Sequence, residues 1–182
     1  MKTRFLATAA VVLLAQGAQA SSGTINFTGS ITDNTCTVGN TSLSVTLPPL
    51  TVSALNGGSA SGGKTAGDTT FTIDLSSCSF ASGNATAYFE FGANTDAANN
   101  GTLKNTSSGP GAATGVNIQL LNDNGLGTVI DVSKTSGNQG VVTAPIAANK
   151  GTAKFIARYY ATGSTVTSGP VTSSVTYSMV YN

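Results

Sequence analysis

The residues whose types and spacing could do chemistry begin at 58–65, where GSASGGKT satisfies the phosphate-loop pattern G-x-x-x-x-G-K-[ST]. That pattern works only between a strand and a helix, because the helix N-terminus presents the N–H groups that hold the phosphate. The next segment, 69–75, alternates Phe71, Ile73 and Leu75 with polar residues, so a strand is expected there and 58–65 reads as a flexible Gly/Ser loop. Asn122, Asp123 and Asn124 resemble part of a calcium loop but lack its full spacing and its bidentate glutamate; a hairpin turn accounts for them. The chain has no histidine, and its one glutamate is Glu90. No triad, zinc set or acid/base pair can be assembled from what is left. Asp74 and Glu90 fall in expected strands and face solvent. Asn-x-Ser/Thr triplets, as at Asn84 and Asn105, are what a chain rich in these residues gives by chance. The sequence therefore predicts no catalytic residue, no cofactor, no metal and no enzyme.

Cys36 and Cys78 are the remaining reactive groups, and their state depends on compartment. Lys2 and Arg4 form a basic start, residues 5–15 are an apolar run, and Ala18 and Ala20 supply the small residues read by signal peptidase. The run is about half of the ~20 residues that a membrane-spanning helix needs, so 1–20 is expected to be a cleaved signal with no membrane anchor after it. In the oxidising compartment beyond, two cysteines pair by default, and Cys36 with Cys78 is the expected disulfide. A catalytic thiol is the alternative, but no histidine is present to activate it.

Removal of 1–20 leaves six basic and seven acidic residues, so no electrostatic footprint for nucleic acid exists. The elements that remain to be placed are short strands divided by turn clusters: 35–38 with 43–47, then 50–54, 69–75, 86–91, 116–121, 128–132 and 153–160. Asn56-Gly57, Asn100-Gly101 and Asn124-Gly125 mark turns of positive φ. No window has a helical period, and 144–150 is too short to assign. The pattern is that of an all-β sandwich.

Two amphipathic strands stand at opposite ends. In 169–182, Val171, Val175, Tyr177, Met179 and Tyr181 lie on odd positions, while Thr172, Ser174, Thr176 and Ser178 lie on even ones. The chain as given stops there, so another strand is expected to cover the far edge. In 21–35, Ile25, Phe27, Gly29 and Ile31 form a second alternating row, with Gly29 a gap that marks a bulge or a close approach by another surface.

Counted back from Asn182, Tyr181 is penultimate and Gly169 is fourteenth, with alternating apolar residues between. That arrangement resembles the C-terminal assembly motif of bacterial pilus subunits of the chaperone–usher class, the type 1 fimbrial family. The run from Gly29 through Ile31 to Cys36 and Val38 resembles their donor-strand extension. The resemblance implies an incomplete immunoglobulin-like sandwich lacking its final strand, completed by a donor strand from another chain. It divides the chain into a signal (1–20), a donor extension (21–34) and a pilin domain (35–182). It implies a structural subunit of an adhesive pilus at the cell surface, exported through the periplasm. Its partners would be a periplasmic chaperone, an outer-membrane usher and neighbouring copies joined head to tail. Ile25, Phe27, Gly29 and Ile31 would be donated; Gly169, Val171, Val175, Tyr177, Met179, Tyr181 and Asn182 would form the acceptor and chaperone-binding strand. A minor adaptor or tip subunit is the alternative within the family, and an exported carbohydrate-binding β-sandwich is the alternative outside it.

Overall fold

Alternation of apolar and polar residues, with glycine and asparagine at the turns, folds this sequence into two packed β-sheets. The structure, a computed structural model, describes Asn26, Thr28 and residues 33–182, the latter forming one unit. In chain order the strands are β1 (Thr37–Val38), β2 (Thr65–Ser76), β3 (Ser82–Phe89), β4 (Thr95–Asp96) and β5 (Thr102–Lys104). They continue as β6 (Val116–Asn122), β7 (Val129–Ile130), β8 (Ala144–Ala147), β9 (Gly151–Ala161) and β10 (Tyr177–Tyr181). The larger sheet runs β1-β2-β9-β6-β5-β4, with β7 also on β6; the smaller runs β10-β3-β8. Every pairing is antiparallel. The chain is an incomplete immunoglobulin-like sandwich: the small sheet is too narrow to cover the large one.

The two sheets meet at Phe155. Its ring is buried between Phe71 of β2, at 5.4 Å, and Phe89 of β3, at 5.3 Å and edge-on. Around it Ile73, Leu75, Leu103, Ile118, Leu120, Ile130, Val132 and Ile146 close the core. Two amides replace strands where the ladder stops. Gln139, buried, donates to Phe89 O (2.6 Å) and accepts from Phe89 N (3.0 Å), as a neighbouring strand would. Asn122 donates to Thr128 O and Gly140 O and accepts from Val142 N.

Several expectations need correction. Residues 50–54 are not a strand: Val52–Ala54 is a 3₁₀ turn, with Ala54 N and Leu55 N bonded to Thr51 O and Val52 O. The turn sends Leu55 inward to a second small cluster with Ala113, Val116, Ala161 and Val166. Residues 43–47 are extended with alternate burial but pair with no strand among the described residues. Residues 144–150 do hold a strand, β8, and the short β4 and β5 have no counterpart among the expected strands. The long β2 carries a bulge between Ala66 and Thr69, where Gly67 lies against the Tyr159 ring.

The phosphate-loop pattern leads into β2, not a helix. Lys64 Nζ is spent on carbonyls, 2.6 Å from Asn56 O and 3.4 Å from Ser53 O. Asn124 Oδ1 accepts from Leu126 N and Gly127 N, so that segment is a hairpin turn. At the Asn100-Gly101 turn both residues take positive φ, 57° and 67°. No cluster with metal-ligand spacing exists among the described residues. No described helix is long and apolar enough to cross a membrane.

Candidate functional site

A groove of about 780 Å³ runs along the side where the small sheet falls short. Its floor is the inner face of the large sheet: Phe71, Ile73, Leu103, Ile118, Leu120 and Ala157, with Phe89 beside them. One wall is the extended segment 38–47, which turns Leu43, Val45 and Leu47 inward. The other wall is 171–181. Apart from tyrosines, no ionisable side chain lines the groove among the described residues. Such a surface offers apolar contact and backbone hydrogen bonds.

The second wall is bonded along one edge only. Its even-numbered residues face the body: Thr172 O accepts from Thr106 N (2.7 Å), Thr176 O from Glu90 N (2.8 Å), and Asn182 exchanges both bonds with Asn84 (2.7 and 3.0 Å). Between these lies the β10–β3 ladder. Alternation along an antiparallel strand then turns the N–H and C=O groups of the odd residues toward the groove. Among the described residues no strand pairs with that edge. The first wall is similarly bare, since no backbone–backbone hydrogen bond involves residues 41–48 among those described. Two apolar walls with unpaired edges, over a hydrophobic floor, describe the place of a strand.

The structure brings most of the sequence-predicted residues together. Val171, Val175, Tyr177, Met179 and Tyr181 all face the groove, half-buried, while the residues between them, apart from Ser173, are exposed. Asn182 lies past them, on the Asn84 side. Gly169, at φ +150°, sits against the backbone of 111–113, where a Cβ would overlap the Gly111 carbonyl. Cys36 and Cys78 form a disulfide. Ile25, Phe27, Gly29 and Ile31 lie outside the described residues.

Four contributors carry no signal in the sequence pattern. Ser173 belongs to the inward row, and its Oγ donates to Lys104 O (2.8 Å). The floor comes from strands far apart in sequence. Asn105, which sequence alone places in a chance triplet, holds the start of the second wall. Its Oδ1 accepts from Thr172 N (3.0 Å), and its Nδ2 donates to Ala113 O (2.8 Å) and Pro170 O (3.3 Å). Asn94 does the same for Ser174 O (3.2 Å). Replacing Asn105 with alanine removes the partner of Thr172 N, Ala113 O and Ser107 N, whereas Pro170 O keeps its bond from Ala113 N. The expected cost in a urea melt is about 1–3 kcal/mol, together with faster amide exchange at Thr172; an unchanged midpoint would mean water takes over the role.

Tyr177 and Tyr181 close one end. Tyr177 OH donates to Asn40 O across the groove (2.8 Å), and Tyr181 stands edge-on to Phe80 at 6.0 Å. Burial raises both phenol pKa values above 10.0, in Tyr181 against a backbone hydrogen bond at Cys36. Both are neutral at physiological pH, and ionisation would loosen this end only in alkali.

The family model described as fimbrial protein matches residues 25–182. The F17 fimbrial protein of Escherichia coli is 41% identical over 165 residues, 87% of each chain. The major fimbrial subunit SMF-1 of Stenotrophomonas maltophilia is 39% identical over 170 residues, 91% of this chain and 95% of that one. A solved Burkholderia pseudomallei antigen and type I fimbria protein superposes with a TM-score of 0.54 at 34% identity, covering 81% of this chain and 88% of its own. A sandwich short of one strand, a groove in the missing strand's place and these relatives agree: the chain belongs to the fimbrial protein family, as a pilin of the chaperone–usher kind.

Proposed function

We propose that this fimbrial subunit polymerises by donor-strand exchange, residues 21–34 of one copy filling the groove of the next. The observation that carries it is the pair of walls, 41–48 and 171–181, whose groove edges are unpaired on either side of an apolar floor. Ile25, Phe27 and Ile31 supply an apolar row with the period of two that such a gap accepts, Gly29 leaving a space in it. Donor and acceptor are different surfaces of one chain, so the contact is heterologous and propagates as an open filament. On this reading 1–20 is a cleaved signal and 35–182 the pilin domain. A periplasmic chaperone fills the groove first and holds the end of the second wall at Asn182, and an outer-membrane usher presides over replacement at the cell surface. Near full-length likeness to a chain named a major fimbrial subunit favours the shaft over the tip.

The test is deletion of 21–33. The truncated subunit is expected to retain its fold and to bind a synthetic 21–34 peptide, yet form no fibres by electron microscopy when incubated alone. Fibres from the truncated protein would assign donation to another segment.

A further inference from the structure

The two groove tyrosines meet groups that a bridging strand would need. Along β1, odd residues face β2: Gly39 N donates to Asp74 O (2.8 Å), and Thr37 and Val38 pair with Ser76 and Leu75. Cys36, Val38 and Asn40 therefore turn their backbone groups to the opposite edge, which borders the groove. Tyr177 OH donates to Asn40 O (2.8 Å). The Cys36 backbone lies close enough to Tyr181 to oppose the rise that burial gives its phenol pKa, which puts that ring at the Cys36 end of the first wall. The two phenols meet the first wall at positions four residues apart, as the tyrosines are on the second. The walls thus run antiparallel, Cys36 opposite Tyr181 and Asn40 opposite Tyr177. Adjacent strands lie ~4.8 Å apart, so one missing strand separates these walls by ~10 Å, about the reach of a tyrosine plus a hydrogen bond.

Resting on the donor-strand reading above, we propose that Tyr177 and Tyr181 are positioning residues. Their phenols occupy the groove edge of the first wall at Cys36 and Asn40, confining an incoming strand's backbone pairing on that wall to the stretch beyond Asn40, at Leu43, Val45 and Leu47. On the second wall the strand pairs along the whole length. The tyrosines thereby fix where the ladder with the first wall begins.

Residue-resolved amide exchange tests this on the 21–33 deletion protein with and without the 21–34 peptide, comparing wild-type walls with a Tyr177→Phe/Tyr181→Phe variant that keeps both rings. In the wild type, peptide is expected to slow exchange about tenfold or more at Leu43, Val45 and Leu47 and at Val175 and Met179, while leaving Val38 unchanged. In the variant, Val38 is expected to become protected as well, as the ladder extends past Asn40. Protection of Val38 by peptide in the wild type, or one footprint shared by both proteins, would overturn the role of the phenols while leaving strand insertion intact. Absence of protection on either wall would overturn strand insertion itself, and the tyrosine role with it. Single variants at each tyrosine provide the same readout if the double variant fails to fold.

Discussion

Serine at both positions 36 and 78 is expected to remove about 4 kcal/mol of stability, the chain-entropy value for a loop of this size. The disulfide spans a sequence separation of 42 and joins the start of the first wall to the turn after β2. Little else holds that wall. Thr35 exchanges bonds with Ser79 (2.9 and 3.1 Å), β1 pairs with β2 over two residues, and Gly39 N reaches Asp74 O. From 41 to 48 only side chains hold the segment. Loss of the crosslink should therefore cost more than global stability: it should free the wall selectively, with amides of β1 exchanging by local opening before the β2–β9 ladder does. Urea melts of the oxidised wild type and the double serine variant give the first number, and exchange at Thr37 and Val38 gives the second. A difference below about 1 kcal/mol would show that the loop is already constrained in the unfolded chain.

The share of the fold that is legible in the sequence is set by which interactions are local. The alternation of 171–181 is legible, because a period of two belongs to the strand itself, and every odd residue lies inward where alternation puts it, Ser173 included although it is polar. The Asn100-Gly101 turn is legible for the same local reason. Residues 50–54 mislead: Leu50, Val52 and Ala54 alternate, yet backbone bonds from Ala54 and Leu55 wind the segment so that Leu55 can be buried. Tertiary packing overrides a five-residue pattern. The groove floor is illegible, since Phe71, Leu103, Leu120 and Ala157 come together only through strand order. Asn105 and Gln139 are illegible for a different reason. Each uses a side chain to complete a backbone ladder, and amide residues carry no periodic signal that would reveal it.

Gly169→Ala is expected to be the most damaging single change in the second wall. Gly169 has φ +150°, and a Cβ there would overlap the Gly111 carbonyl oxygen and stand 2.5 Å from Ala113 N. Those atoms are backbone and cannot swing away. The loop they belong to is fixed in turn, because Ala113 N and the Asn105 amide both bond Pro170 O. Strain at a left-handed position costs about 1–3 kcal/mol, and overpacking adds about 1–3 kcal/mol more. The sum is large against the stability of a small domain. Two other glycines separate the contributions. Gly109, at φ +98° with open space around it, should show the strain alone when changed to alanine. Gly163 lacks a left-handed φ and has its nearest neighbour at 3.7 Å, so its alanine variant should be close to neutral. Urea melts of the three variants are expected to rank Gly163, Gly109 and Gly169 in order of increasing loss. Because the second wall starts at Gly169, its variant should also bind the 21–34 peptide more weakly than the Gly109 variant does. Equal losses at Gly109 and Gly169 would mean that residues 111–113 yield freely, and that the glycine serves backbone conformation alone.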